Sequence, residues 1–433
     1  MTPRIAALDA IEILDSRGNP TLRVTLVLTD GTTAVASVPS GASTGRHEAL
    51  ELRDGDPARF GGKGVARAIA HVRGEIADAL RGADPTSQEE IDRRLIALDG
   101  TPDKSRLGAN AIVGVSMALA RAGAAVAGRP LFAHLGGAQA CRLPVPMMNV
   151  INGGKHADNR LDFQEFMLVP HGAASFAEAL RHGAETYHAL RAILHRRGLS
   201  TAVGDEGGFA PDLPDNEAAC ALIVEAIEAA GLVPGEQVAI ALDPAASSFA
   251  TPAGYDLSRS GGGVLDSAAM TDLFAGWIAR YPIVSLEDGL GEEDWAGFAA
   301  QTAALGDRVQ IVGDDNYVTN TAFIRRGIAE RTTNAVLLKP NQIGTVTETI
   351  DAARLCREAG WGFVVSHRSG ETEDSFIADL AVALGGGQIK AGAPCRGERV
   401  AKYNRLLEIE RELGAEEVFV SPFRRGPAAT MVL

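Results

Sequence analysis

Cysteine is scarce. Cys141, Cys220, Cys356 and Cys395 stand far apart, and no two share a CxxC spacing. They read as reduced, structural thiols in a reducing compartment rather than a disulfide framework. Basic charge is short as well. The 41 Lys and Arg against 55 Asp and Glu leave a net charge of −14, which argues against a nucleic-acid surface as the main business of the chain. No stretch reads as long and apolar enough to span a bilayer, and Met1-Thr2-Pro3-Arg4 leads into no apolar signal region. The expectation is a cytoplasmic protein with no membrane partner. Low-complexity tracts and long charge runs are also missing. What remains is 433 residues at 46% hydrophobic content, enough for two or more domains around a large core.

One pattern organises the second half of the chain. Ala335-Val336-Leu337-Leu338 is apolar without alternation, as in a strand buried on both faces, and it stops at Lys339-Pro340. A lysine at the mouth of a buried strand either pairs with carboxylates or has a depressed pKa, and a general base needs the second. The same pattern recurs. Runs ending at 242, 286, 312 and 365 lead into Asp243, Glu287-Asp288, Gly313-Asp314-Asp315 and Ser366-His367-Arg368-Ser369. A last run, Gly386-Gly387-Gln388-Ile389, ends at Lys390. The steps between these strand ends match βα units of a barrel of about 250 residues, in which the C-terminal strand ends meet on the face that carries chemistry.

The N-terminal part reads differently. Residues 5–38 are strand-like, with Thr29-Asp30-Gly31-Thr32 as a turn, and helical patterns follow at 65–80, 88–97 and 108–127. Strands followed by helices make an α+β domain, here residues 1–137, ahead of the barrel at 138–433. Ser175-Phe176-Ala177-Glu178 reads as a capping box opening a long helix that Gly198 closes. Another helix runs 218–230 with Gly231 as its stop.

Asp243, Glu287 and Asp314 are three carboxylates on successive strand ends. Convergent like charges repel unless a cation neutralises them, and oxygen-only ligands point to Mg2+ or Mn2+ rather than zinc. The other polar stretches are weaker signals. Ser40-Gly41-Ala42-Ser43-Thr44-Gly45 is a small-residue loop without the phosphate-loop lysine. Asn152 to Asp158, containing His156, and Gln164-Glu165-Phe166 lie beside a probable strand. Gly204-Asp205-Glu206-Gly207-Gly208 sets two acids in a glycine-rich turn, where a partly buried glutamate can serve as an acid.

Taken together, these residues resemble the enolase family over essentially the whole chain. The matching stretches are Asp15-Ser16-Arg17-Gly18-Asn19-Pro20, the 39–45 loop, Leu107-Gly108-Ala109-Asn110-Ala111, Gln164-Glu165-Phe166 and 203–210. They continue through Glu287-Asp288, Gly313-Asp314-Asp315, 339–344, 366–374 and Gln388-Ile389-Lys390 in the same order. The resemblance implies reversible dehydration of 2-phosphoglycerate to phosphoenolpyruvate on an α/β fold, an N-terminal α+β domain followed by an eight-stranded α/β barrel. It assigns Lys339 as the base at C2 and Glu206 as the acid at C3, with Glu165 in support. Asp243, Glu287 and Asp314 would hold a first Mg2+, and Ser43 would ligate a second that arrives with substrate. Arg368 and Ser369 would hold the phosphate, Lys390 would face the carboxylate, and Gln164, His156 and His367 would line the pocket. A homodimer or higher homo-oligomer is also implied, and a secondary surface-binding role is left open.

Several positions depart from the family pattern. Ser248 stands where glutamate is usual, Lys155 precedes His156 in place of Glu or Ser, and Asn316 replaces an aliphatic residue. At the family's subunit interface, Arg23 and Glu408 exchange the usual signs of one ion pair, and Ile11 with Arg411 removes another. Two rival readings fit the residues less well. An acid-sugar dehydratase would need no phosphate clamp, so His367-Arg368-Ser369 disfavours it. A scaffold or adhesion protein that merely keeps the fold would show eroded catalytic positions, and here none is lost.

Overall fold

The computed structural model describes residues 2–42, 44–137 and 140–423. Ser43 therefore lies outside the described residues, and the expected domain boundary falls beside two others, 138 and 139.

Strands β1 (Ile5–Leu14), β2 (Pro20–Leu28) and β3 (Thr33–Ser37) form an antiparallel sheet with β2 central. Its inner face carries Leu8, Ala10, Leu22, Val24 and Leu26, two apart along each strand, as a half-buried sheet requires. Helix α1 (Ala66–His71) continues through one π-helical turn at Val72–Ile76 into α2 (Ala77–Leu80). After α3 (Gln88–Asp99) comes α4 (Ala109–Val126), which packs on β2 and β3. Close approach depends on Gly114, since a Cβ there would lie 2.8 Å from Val24 Cγ2 and 3.0 Å from Val38 Cγ2. Helix α4 also corrects one expectation: it is long and apolar enough to cross a membrane, but 83% of it is buried within the fold. Its composition serves a core helix that is covered on nearly every side. Short α5 (Leu131–Gly136) closes this part.

Eight strands then close into a barrel. They are β4 (Val145–Asn152), β5 (Glu165–Val169), β6 (Ala239–Asp243), β10 (Ile283–Glu287), β11 (Gln310–Gly313), β12 (Ala335–Leu338), β13 (Gly362–Ser366) and β14 (Gln388–Lys390), with β14 pairing back to β4. A small antiparallel ribbon, β7 (Ala250–Thr251), β8 (Gly254–Asp256) and β9 (Val264–Leu265), is inserted after β6. The barrel is not uniformly parallel. β5 runs antiparallel to both neighbours, so it is its N-terminal end that reaches the mouth: Glu165 pairs with Asp243 on one side and Asn152 on the other.

Alternation decides what reaches that mouth. The inner layer holds Met167, Ala239, Ala241, Val312, Ala335 and Leu337. Two residues further toward the open end along each strand stand Glu165, Asp243, Asp314 and Lys339. Below them Gln310 and Gln388 exchange amide hydrogen bonds at 2.9 Å, satisfying the polar layer between apolar floor and charged mouth.

Outside the barrel, α6 (Phe176–Arg196) begins at Ser175, whose hydroxyl accepts the Glu178 amide at 3.2 Å. The box is half made, because the Glu178 carboxylate turns to Arg181 and Glu410 instead accepts the Phe176 amide at 2.7 Å. Helices α7 (Asn216–Ala229), α8 (Ser267–Arg280), α9 (Trp295–Leu305), α10 (Thr321–Glu330), α11 (Pro340–Ile343), α12 (Val346–Glu358), α13 (Phe376–Leu384) and α14 (Gly397–Leu413) complete the chain.

Candidate active site

Eleven of the thirteen residues singled out above line one cavity at the barrel mouth: His156, Gln164, Glu165, Glu206, Asp243, Asp314, Lys339, His367, Arg368, Ser369 and Lys390. Glu287 joins them through Lys390, and Ser43 is the residue outside the described ones.

Lys390 is the centre of one group. Its Nζ lies 2.8 Å from Asp243 Oδ2, 2.9 Å from Glu287 Oε1 and 3.1 Å from Glu165 Oε2. Burial pulls this ammonium down, but Asp243, Glu165 and Glu287 outweigh it and hold it well above the usual lysine range. Burial and then Asp243 push Glu287 well above the usual carboxylate range. Lys339 forms a second group, its Nζ 2.5 Å from Asp314 Oδ2. Of the two states open to it, the structure shows the paired one. Burial lowers its pKa, but Asp314 and Glu287 together more than offset it, and the net shift is upward, toward the charged form. The Lys339 amide donates to Thr319 Oγ1 at 2.9 Å. Thr319 and Val318 sit at φ of 61° and 44°, a strained setting for β-branched residues beside Lys339.

The third group joins carboxyls to imidazoles. Ser369 Oγ donates to Glu206 Oε1 at 3.1 Å and contacts His156 Nε2 at 3.0 Å. His156 Nδ1 lies 3.7 Å from Glu165 Oε1 and 3.9 Å from Glu206 Oε1. Asn149 Nδ2 donates to Glu206 Oε2 at 3.1 Å, and His367 Nε2 stands 3.3 Å from that same oxygen. Burial pushes Glu206 upward, but the facing His367 and His156 win and hold its carboxyl well below the ordinary range. Glu165 goes the other way, driven well up by burial and by Glu206 beside it. The two neighbouring carboxyls are thus shifted in opposite directions, Glu165 up and Glu206 down.

Arg368 is held in place by an acid. Its Nη1 and Nη2 each meet a Glu48 carboxylate oxygen at 3.0 Å, and Nη1 also donates to Asn341 Oδ1 at 3.0 Å. A planar fork that grips a carboxylate in this way suits a phosphoryl group equally.

The three carboxylates proposed as metal ligands are divided in this arrangement. Asp243 and Glu287 share Lys390, and Asp314 lies with Asp288 and Asp315. Asp288 accepts the amides of Asp314 and Asp315 at 2.9 and 3.0 Å, and burial with Asp314 raises Asp315 to about 8. Glu287 Oε2 is buried and without a hydrogen-bond partner. Acid-rich, oxygen-only donors with an unsatisfied buried oxygen fit a hard divalent cation. The ammoniums of Lys339 and Lys390 also pair with these carboxylates.

The geometry is that of a known family. Residues 5–135 match the description "Enolase, N-terminal domain", and residues 140–424 match "Enolase, C-terminal TIM barrel domain". The chain belongs to the enolase family. It is 64% identical over 414 residues to Enolase 1 of Methylococcus capsulatus, covering 96% of this chain and 98% of that protein. It is 61% identical over 421 residues to the enolase of Desulfotalea psychrophila, covering 97% and 100%. Enolase 2 of Pseudomonas syringae pv. syringae is 57% identical over 420 residues, covering 97% and 98%. The activity is the family's, a magnesium-dependent lyase that dehydrates 2-phosphoglycerate in glycolysis.

Sequence reasoning missed four residues that contact the side chains of the cavity or the segments carrying them. Asn149 and Glu48 carry no local signal, since their partners are 57 and 320 residues away. Arg399 and Lys402 do carry one. They fall on the buried stripe of α14 with Tyr403, Leu406 and Ile409, where a cation is costly unless it has a partner. Lys402 Nζ donates to Glu371 Oε2 at 2.7 Å, and Glu371 Oε1 accepts the Arg368 amide at 3.2 Å.

Proposed function

We propose that Lys339 removes the C2 proton of 2-phosphoglycerate and that the Glu206–Glu165 pair delivers a proton to the departing C3 hydroxyl. One observation carries this reading. In the closed strand order, β12 and β5 stand four strands apart, on opposite walls of the eight-stranded mouth. A base on one wall and a protonated carboxyl on the other act on opposite sides of a substrate held between them.

Asp243, Glu287 and Asp314 would hold Mg2+, with a second ion arriving with substrate at Ser43. The metal supplies charge that stabilises the carboxylate as it gains electron density. With Asp314 on that ion, Lys339 would lose its ion-pair partner, and burial, which lowers an ammonium's pKa, would favour the neutral amine a base requires. Lys390 would face the substrate carboxylate. Arg368 exchanges Glu48 for the phosphate, and Ser369 supports it. Gln164, His156 and His367 enclose the C3 end and exclude water. This reading also takes the protein as cytoplasmic and homo-oligomeric, with the domain boundary at 137/138.

The test is isotopic. In D2O, Lys339→Ala should stop exchange of the C2 hydrogen, whereas Glu206→Gln should retain exchange and lose dehydration by about 10²–10⁴-fold. Exchange at the wild-type rate in Lys339→Ala sinks the base assignment.

A further inference from the structure

Arg399 has no solvent exposure, and none of the roles above uses it. It sits in the first turns of α14. Gly392, at φ +85°, leaves room for its stem, since a Cβ there would lie 2.7 Å from Arg399 Cδ and 2.9 Å from the Glu206 carbonyl oxygen. Nη1 of the guanidinium serves two acceptors and Nη2 three, the third being Ser16 Oγ at 3.5 Å. Nη2 donates to the Ser369 carbonyl at 2.5 Å and the Asp205 carbonyl at 3.1 Å. Nη1 donates to the Arg368 carbonyl at 2.6 Å and meets His367 Nδ1 at 2.6 Å.

That last contact is informative. A guanidinium keeps its protons inside proteins and has no lone pair with which to accept one. His367 Nδ1 must therefore be the acceptor. Burial makes the ring neutral, so its one proton is on Nε2, the atom that stands 3.3 Å from Glu206 Oε2.

We propose that Arg399 is a positioning residue that locks His367 in the Nε2–H tautomer, so that the ring presents a donor, never a lone pair, to the Glu206 carboxyl. The chemistry needs this. The other tautomer would place an imidazole lone pair next to Glu206. That nitrogen would take up the proton meant for the C3 hydroxyl and leave an imidazolium beside a carboxylate. With Nδ1 committed to Arg399, that route is closed. The inference rests on the assignment of Glu206 and Glu165 to C3.

The tautomer is read directly by NMR of the full-length protein labelled with 15N in its histidine rings. His367→Gln identifies the signal among the nine histidines. In the wild type, Nδ1 should be bare and Nε2 protonated. In Arg399→Met that form should give way to the Nδ1–H or doubly protonated ring, and Arg399→Lys, which keeps a cationic donor, should restore it in part. Dehydration by Arg399→Met should fall about 10- to 100-fold, while KM and C2 exchange hold at their wild-type values. An Arg399 that only props the Arg368 and Ser369 carbonyls would instead raise KM and slow exchange and dehydration together. That outcome overturns the proposal, as does a wild-type His367 protonated on Nδ1. The wild-type spectrum decides the tautomer even if Arg399→Met does not fold. It is also independent of Glu206→Gln, which tests the C3 assignment by itself.

Discussion

Single residues at this mouth are destabilising for the sake of function. Glu287 is fully enclosed, one oxygen has no partner, and Asp243 repels it across a shared lysine. Replacing it with glutamine keeps the shape and removes a charge. Glu287→Gln should therefore stabilise the metal-free protein, by about 1–3 kcal/mol on the scale of an unsatisfied buried group. It should also lose turnover and the rise in Tm that Mg2+ gives the wild type. Thermal scans with chelator and with Mg2+ measure both effects. A Glu287→Gln protein that Mg2+ stabilises as it does the wild type would remove Glu287 from the ligand set. In the wild type, excess chelator should abolish turnover and added Mg2+ should restore it.

At the scale of elements, Asp374 is one of the carboxylates that tie the N-terminal domain to the barrel. Asp374, in the segment between β13 and α13, accepts two hydrogen bonds from Arg121 of α4 at 2.7 and 2.6 Å. It also accepts the Ser37 amide at 2.8 Å, which fixes the end of β3 beside the cavity. Burial pushes Asp374 up, Arg121 outweighs it, and the net pKa is below the ordinary 3.8. A carboxyl that titrates lower folded than unfolded contributes stability above its unfolded value and loses it as pH falls through the folded one. Asp374→Asn should cost about 3 kcal/mol near neutral pH, since it leaves Arg121 mostly buried without its partner. The gap between wild type and variant should be flat above about pH 5 and close below about pH 4. Urea unfolding at a series of pH values checks it, and a gap that widens in acid refutes it.

At the scale of the molecule, two exposed charges speak to assembly. Arg23 on β2 is exposed, with its Nε on Ser37 Oγ at 3.0 Å, and its cross-strand neighbour on β1 is Ile11, itself 47% exposed. Glu408 on α14 is 66% exposed beside Arg405 at 3.1 Å. Arg23 makes no ion pair among the described residues, and Glu408 pairs only with Arg405, which also holds Asp379 and Glu412. We expect Arg23 and Glu408 to pair across a homodimer with the family's usual signs exchanged. Arg23→Glu should weaken the dimer at low salt by about 0.2–1 kcal/mol, and adding Glu408→Arg should restore it. Dimer dissociation constants decide the matter, and a double variant no tighter than the single one rules the pairing out.

Strand ends were legible in the sequence because a buried strand must be apolar and chargeable groups must stop at its mouth. Asp243, Glu287, Asp314, Lys339 and Lys390 follow from that local rule, as do the helix spans, to within one or two residues. The reversed direction of β5 was not legible, because a five-residue apolar run reads the same both ways. The pairing of Lys339 with Asp314, the grip of Glu48 on Arg368 and the contact of Arg399 with His367 were likewise invisible. Each joins residues 25 to 320 positions apart. Periodicity and composition determined by themselves which residues are buried and which stop at a strand end. Only the closure of the barrel and the docking of α14 decided which charges meet. Charges interact according to distance in space, which chain spacing constrains only within an element.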